Sequence, residues 1–321
     1  MDSAILISAS SRTLSICIAF ACPMSAWALG AIPDNTPYIS DPSFLPRQGE
    51  IYSETTYAYS TRDQDWQPSG GAVDEHYSAN SNSYIEQVEY GITNRLSVGG
   101  QGSYADTAEH YNYSFRSATD ADTNRFNNPT FNLTYRAINQ LESPVSVYVE
   151  ALFAPGIVDN APHSAGVDLY VNRELSFPTA QGHIGLTIQG ELGTSYDDAY
   201  TTNNPLSGIA SDITGYWSYF FAARSQLRLT HRWAINSGVV YSRDLSNSVI
   251  SPGVGDAYVA APTTTVAPYA ALVFGIVPNR VNLALEYHYE FIGDDHHSGA
   301  SSGTWIDQSQ SVYEMDLFLR F

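Results

Sequence analysis

From about Gly49 to its C-terminus the chain alternates apolar and polar side chains. Phe131, Leu133 and Tyr135 interleave with Asn132, Thr134 and Arg136, and Trp217, Tyr219, Phe221 and Ala223 with Ser218, Phe220, Ala222 and Arg224. Val281, Leu283, Leu285, Tyr287, Tyr289 and Phe291 interleave with Asn282, Ala284, Glu286, His288 and Glu290. A period of two belongs to β-strands, whose successive side chains point to opposite faces. The first set in each case is suited to a hydrocarbon solvent and the second to an aqueous interior. Glu86 breaks the pattern, because it shares parity with Tyr84, Val88 and Tyr90. It implies either a place at the outer interface or a shifted register.

The links between these stretches alternate in length. Short ones fall at Thr93-Asn94-Arg95, Ile138 to Pro144, Pro178 to Gly182, Thr230-His231-Arg232 and Pro278-Asn279-Arg280. Long polar ones fall at Arg62 to Ala79, Thr107 to Asn124, Gly156 to Ala165, Asp197 to Ala210, Ser246 to Ala261 and Gly293 to Asp307. Outer-membrane barrels have this asymmetry, with short periplasmic turns and long extracellular loops, whereas a soluble sandwich has no reason for it. The expectation is an all-β, transmembrane antiparallel barrel of about twelve strands. They are expected to start near Ile51, Ser83, Leu96, Phe126, Val145, Val167, His183, Ile213, Trp233, Thr264, Val281 and Ser309. An even count brings both termini to the periplasmic side.

Composition narrows this further. Only 43% of residues are apolar and the mean hydropathy is -0.20, so no stretch beyond the N-terminus resembles a membrane helix. The 23 tyrosines and 5 tryptophans are enough to form girdles at two membrane interfaces. Residues 1–28 read as a signal peptide: Arg12, the apolar run Leu14 to Ala21, then Ala26-Trp27-Ala28 as a small-x-small cleavage site. Both cysteines, Cys17 and Cys22, lie in that segment, leaving a mature chain without thiols. Residues 29–48, with Pro33, Pro37, Pro42 and Pro46, read as an extended leader that either plugs the lumen or trails in the periplasm. The barrel then occupies 49–321. The net charge of -19 is unchanged by removing Asp2 and Arg12, and it opposes binding to nucleic acid, whose phosphates it would repel.

The last strand carries a second signature. Tyr313, Met315, Leu317, Leu319 and the terminal Phe321 occupy every other position, separated by Glu314, Asp316, Phe318 and Arg320. This row resembles the C-terminal signal that the barrel-assembly machinery recognises in outer-membrane proteins. Glu89-Tyr90-Gly91-Ile92-Thr93-Asn94-Arg95-Leu96-Ser97-Val98-Gly99 resembles the strand-turn-strand repeat of the meta-pathway phenol-degradation family of outer-membrane proteins, and Asn128-Pro129-Thr130 through Tyr135-Arg136 is similar to its next segment. The Gly-Asp pair that usually precedes that strand is absent. The resemblance implies a channel for small, often hydrophobic or aromatic compounds.

The parity of each strand nominates the lumen lining: Arg136, Glu150, Asp168, Glu174, Glu191, Arg224, Arg228, Glu286, His288, Glu290, Glu314, Asp316 and Arg320. Counted from the periplasmic ends, Glu150, Arg224, Glu286 and Asp316 share a height, which suggests a mid-barrel ring of carboxylates around an arginine. Such a ring is either a brace of salt bridges or a constriction that favours cations and neutral polar solutes. The loop Asp294-Asp295-His296-His297 holds metal-ligand types, but adjacent residues rarely converge on one ion, so no metal and no cofactor are assigned. Expected partners are outer-membrane lipid and lipopolysaccharide, the assembly machinery and a small-molecule solute, the barrel itself being monomeric. A surface adhesin or structural barrel is the main alternative. A lipid hydrolase is disfavoured, because no nucleophile and histidine share an outward face.

Overall fold

The computed structural model describes residues 44–321 except 115–116, 141–142, 159–160, 180–181, 204–209, 252–255, 278–279 and 300–301. The signal segment and most of the Pro-rich leader lie outside the described residues. The remainder is all β. In chain order the strands are β1 (Ile51–Pro68), β2 (Glu75–Thr93), β3 (Leu96–Tyr113), β4 (Thr119–Phe126), β5 (Thr130–Ile138), β6 (Ser146–Ala154), β7 (Ser164–Thr179), β8 (Gly182–Asp197) and β9 (Tyr200–Asn203). They continue with β10 (Ala210–Ile213), β11 (Tyr216–Arg228), β12 (Trp233–Asp244), β13 (Asn247–Ser251), β14 (Asp256–Ala260), β15 (Thr263–Val277), β16 (Val281–Ile292), β17 (Asp295–Gly299) and β18 (Gly303–Arg320).

Every pairing is antiparallel, and β18 closes on β1, with Tyr52 opposite Arg320 and Tyr59 opposite Tyr313. The barrel wall has twelve strands, β4 and β5 together counting as one. That strand is interrupted at Asn127-Asn128-Pro129, where proline removes a ladder donor. β4 pairs with the upper half of β3 and β5 with the lower half. Through the lower wall this closure gives each of the twelve strands a neighbour on both sides, the condition for crossing hydrocarbon without helices.

Several expected boundaries move outward. β2 begins at Glu75 rather than Ser83, and β18 at Gly303 rather than Ser309. The stretches 197–210, 246–261 and 293–307, expected as loops, contain β9, β13, β14 and β17 and reach the first residue of β10. These short strands pair with one another, so the wall rises well past the part that alternates cleanly. In the raised part the order runs β4-β3-β2-β1-β18-β17-β14-β13-β10-β9, and among the described residues β4 and β9 do not pair. The rim is therefore open above β6 and β7. Asn128 fastens the loop there: Ile157 N and Val158 N donate to its Oδ1 at 3.1 and 3.0 Å, and its Nδ2 donates to Pro162 O at 2.8 Å.

The outer surface is apolar. Leu133, Phe153, Val167, Leu192, Leu285 and Met315 are among many large side chains left exposed, a band far larger than a soluble monomer tolerates. Outward aromatics pair at both ends: Trp233 with Phe274 at 4.6 Å toward the short turns, Tyr196 with Trp217 at 5.1 Å toward the long loops. Glu86 also faces outward, so the register there is correct. Its carboxylate accepts hydrogen bonds from Ser53 Oγ at 2.8 Å and Thr55 Oγ1 at 2.6 Å.

Candidate functional site

The lumen is what the inward parity builds. It forms one cavity of about 830 Å³, bounded at the short-turn end by Phe44 and Leu45 and lined upward as far as Arg62, Tyr200 and Asp295. Eleven carboxylates line it, against three guanidinium groups, those of Arg62, Arg125 and Arg224. Acidic side chains therefore outnumber basic ones along the lining.

In strand order two groups of acids flank β11, which carries Arg224. On β6, β7 and β8 lie Glu150, Asp168 and Glu191. Glu150 accepts hydrogen bonds from Asn132 Nδ2 at 2.7 Å, Thr134 Oγ1 at 3.2 Å and the Tyr170 hydroxyl. On β1, β16 and β18 lie Glu54, Glu286, Glu314 and Asp316. Tyr52 OH donates to Glu54 Oε2 at 2.6 Å and Thr56 Oγ1 to Asp316 Oδ1 at 2.7 Å. Arg224 is within electrostatic reach of Glu54, Glu191 and Glu314, and its guanidinium lies 5.3 Å from the Tyr269 ring centroid.

Of the residues that parity nominates, Glu150, Arg224, Glu286, His288, Glu290, Glu314 and Asp316 border this cavity. Asp168 and Glu191 are buried in the wall behind it. Arg136 lies 5.0 Å from the Tyr148 ring centroid, and Arg228 pairs with Glu174 at 3.5 Å. Arg320 pairs with Glu50 below the lumen. Glu54, Glu89, Glu109, Asp197, Asp244 and Asp295 also border the cavity and were not among the residues that parity nominates. The signal for Glu54 was present, since it shares parity with Tyr52, Thr56 and Ala58. Its place beside Asp316 depends on barrel closure.

The short-turn mouth is narrowed by residues 44–50. Leu45 is buried, and the Phe44 ring lies 5.4 Å from Tyr52, which lies 6.4 Å from Phe318. Gly49 N donates to Gly91 O at 2.8 Å, Gly91 N to Glu50 O at 3.0 Å and Gln48 N to Asn94 Oδ1 at 3.1 Å. Gly91 has to be glycine, because a Cβ there would lie 1.9 Å from the Arg47 carbonyl oxygen. Burial pushes the Glu50 carboxyl up, but the hydrogen bond from Arg320, the Arg47 backbone N–H and both positive charges outweigh it, leaving it below the ordinary carboxylate value.

At the long-loop end one side of the raised wall carries a cluster of aromatics. Tyr77, Tyr111, Tyr113 and Trp305 are buried together, with Trp66 against them. Tyr111 and Tyr77 donate to Glu109 at 3.1 and 3.2 Å. Burial still holds the Glu109 carboxyl above its ordinary value.

No family model and no curated protein matches this sequence. Solved structures match in fold. An outer membrane channel from Pseudomonas putida F1 aligns with TM-score 0.52 and 12% identity, over 87% of this chain and 97% of that one. The transport unit of the autotransporter AIDA-I from Escherichia coli aligns with TM-score 0.54 and 8% identity, over 86% and 91%. The chain therefore has the fold of an outer-membrane β-barrel. The segment resembling the phenol-degradation family forms the hairpin of β2 and β3.

Proposed function

We propose that this barrel is a passive channel of the bacterial outer membrane, conducting small solutes between the medium and the periplasm. The acidic lumen is the observation that supports it most: a single polar cavity along the barrel axis, with carboxylates outnumbering guanidinium groups. Such a lining favours cations and neutral polar solutes and disfavours anions. Tyr52, Tyr170, Tyr216, Phe220 and Tyr269 add ring faces to the wall, which extends the substrate range to small aromatic compounds, as the family resemblance implies.

In this reading residues 44–48 are a constriction held in the periplasmic mouth. The outward row Tyr313, Met315, Leu317, Leu319 and Phe321 serves as the signal for barrel assembly, and the monomer is the working unit within lipid and lipopolysaccharide. Flux into proteoliposomes tests the channel: phenol and small neutral sugars should enter faster than through protein-free vesicles, with benzoate slower than phenol. Equal rates with and without protein for every solute would sink the proposal.

A further inference from the structure

We propose that Glu286, His288 and Glu314 form a binding site for a divalent transition-metal ion of the zinc class on the lumen wall. Glu286 and His288 are two apart on β16, so both point inward, and Glu314 of β18 is the direct cross-strand partner of Glu286. One ligand atom from each lies within 4.8 Å of the other two. Atoms so placed lie within about 2.8 Å of a common centre, and side-chain rotation closes that to the 2.0–2.2 Å that zinc takes from imidazole nitrogen and carboxylate oxygen.

A second observation points the same way. Like charges directly opposite on neighbouring strands repel, and Glu286 and Glu314 are such a pair with only about a fifth of the Glu286 side chain exposed. Among the described residues no hydrogen bond reaches the Glu314 carboxylate. The His288 Nδ1 is 3.4 Å from Glu286 Oε1, a long contact that leaves the imidazole free to turn toward a shared ion. Glu54 and Asp316 add negative charge around the cluster, and the cation facing it, Arg224, is shared with Glu191 of β8. One imidazole and two carboxylates are a donor set for zinc, manganese or nickel rather than for calcium or magnesium, which prefer all-oxygen shells. The lumen leaves the remaining coordination positions to water.

This site does not depend on conduction, so its test uses binding. The purified full-length barrel in detergent, stripped with a chelator, is titrated with zinc chloride by calorimetry. One equivalent per chain is expected. His288→Ala and Glu314→Gln should each weaken uptake at least about tenfold, the loss that even an outer-shell partner produces. His76→Ala and His297→Ala, which alter histidines paired with aspartates at the long-loop end, should leave it unchanged. Heat-modifiable gel migration reports whether each variant folds. If the lumen variants do not fold, the wild type decides: bound zinc should protect His288 from carbethoxylation, read by peptide mass spectrometry. No uptake, uptake unaffected by both lumen substitutions, or an unprotected His288 would overturn the assignment.

Discussion

Single residues in this barrel take their meaning from the face they occupy. Leu285 is half-exposed to lipid and Glu286, one position on, faces water. Leu285→Lys should cost about 2–4 kcal/mol near the membrane midplane, measured by urea unfolding in lipid vesicles. Glu286→Lys or Asp316→Lys should instead leave folding intact and move ion selectivity toward anions in bilayer recordings. Unaltered selectivity in both would place the conducting path elsewhere. Glu50 offers a pH test. Its folded carboxyl lies below the ordinary value, so the stability it contributes is present above that value and is lost as pH falls through the folded pKa. Acidification below about 4 should therefore loosen residues 44–50 and speed their cleavage by pepsin, and Glu50→Gln should remove that dependence.

At the scale of elements, the clearest prediction concerns the N-terminal segment. Phe44 and Leu45 cap the lumen, so deleting residues 44–48 should raise single-channel conductance without changing the barrel's gel migration. An unchanged conductance would mean that the constriction lies in the charged belt above. The strands themselves were legible wherever lipid imposes a demand on one face. Leu96, Trp233 and Val281 begin strands where alternation places them. The strands misjudged were those that continue beyond lipid. Glu75 to Ser83 in β2 and Gly303 to Gln308 in β18 keep their backbone pairing but lack an apolar outward row. There the period of two fades while the hydrogen-bond ladder persists, so polar strand reads as loop. The His288 and Glu314 approach was illegible for a different reason, since it depends on the register between β16 and β18.

For the whole molecule, closure of β18 on β1 turns a chain of modest apolar content into a wall with an apolar outside and an acidic inside. The same closure brings Glu54 within electrostatic reach of Asp316, so Glu54, Glu286, Glu314 and Asp316 gather at the seam of the barrel. That acidic lining should set the sign of the reversal potential across a planar bilayer under a potassium chloride gradient. Discrete conducting steps are expected, with a reversal potential of the sign of potassium selectivity. A reversal potential of the chloride sign, or a barrel that inserts and never conducts even after residues 44–48 are removed, would contradict that expectation.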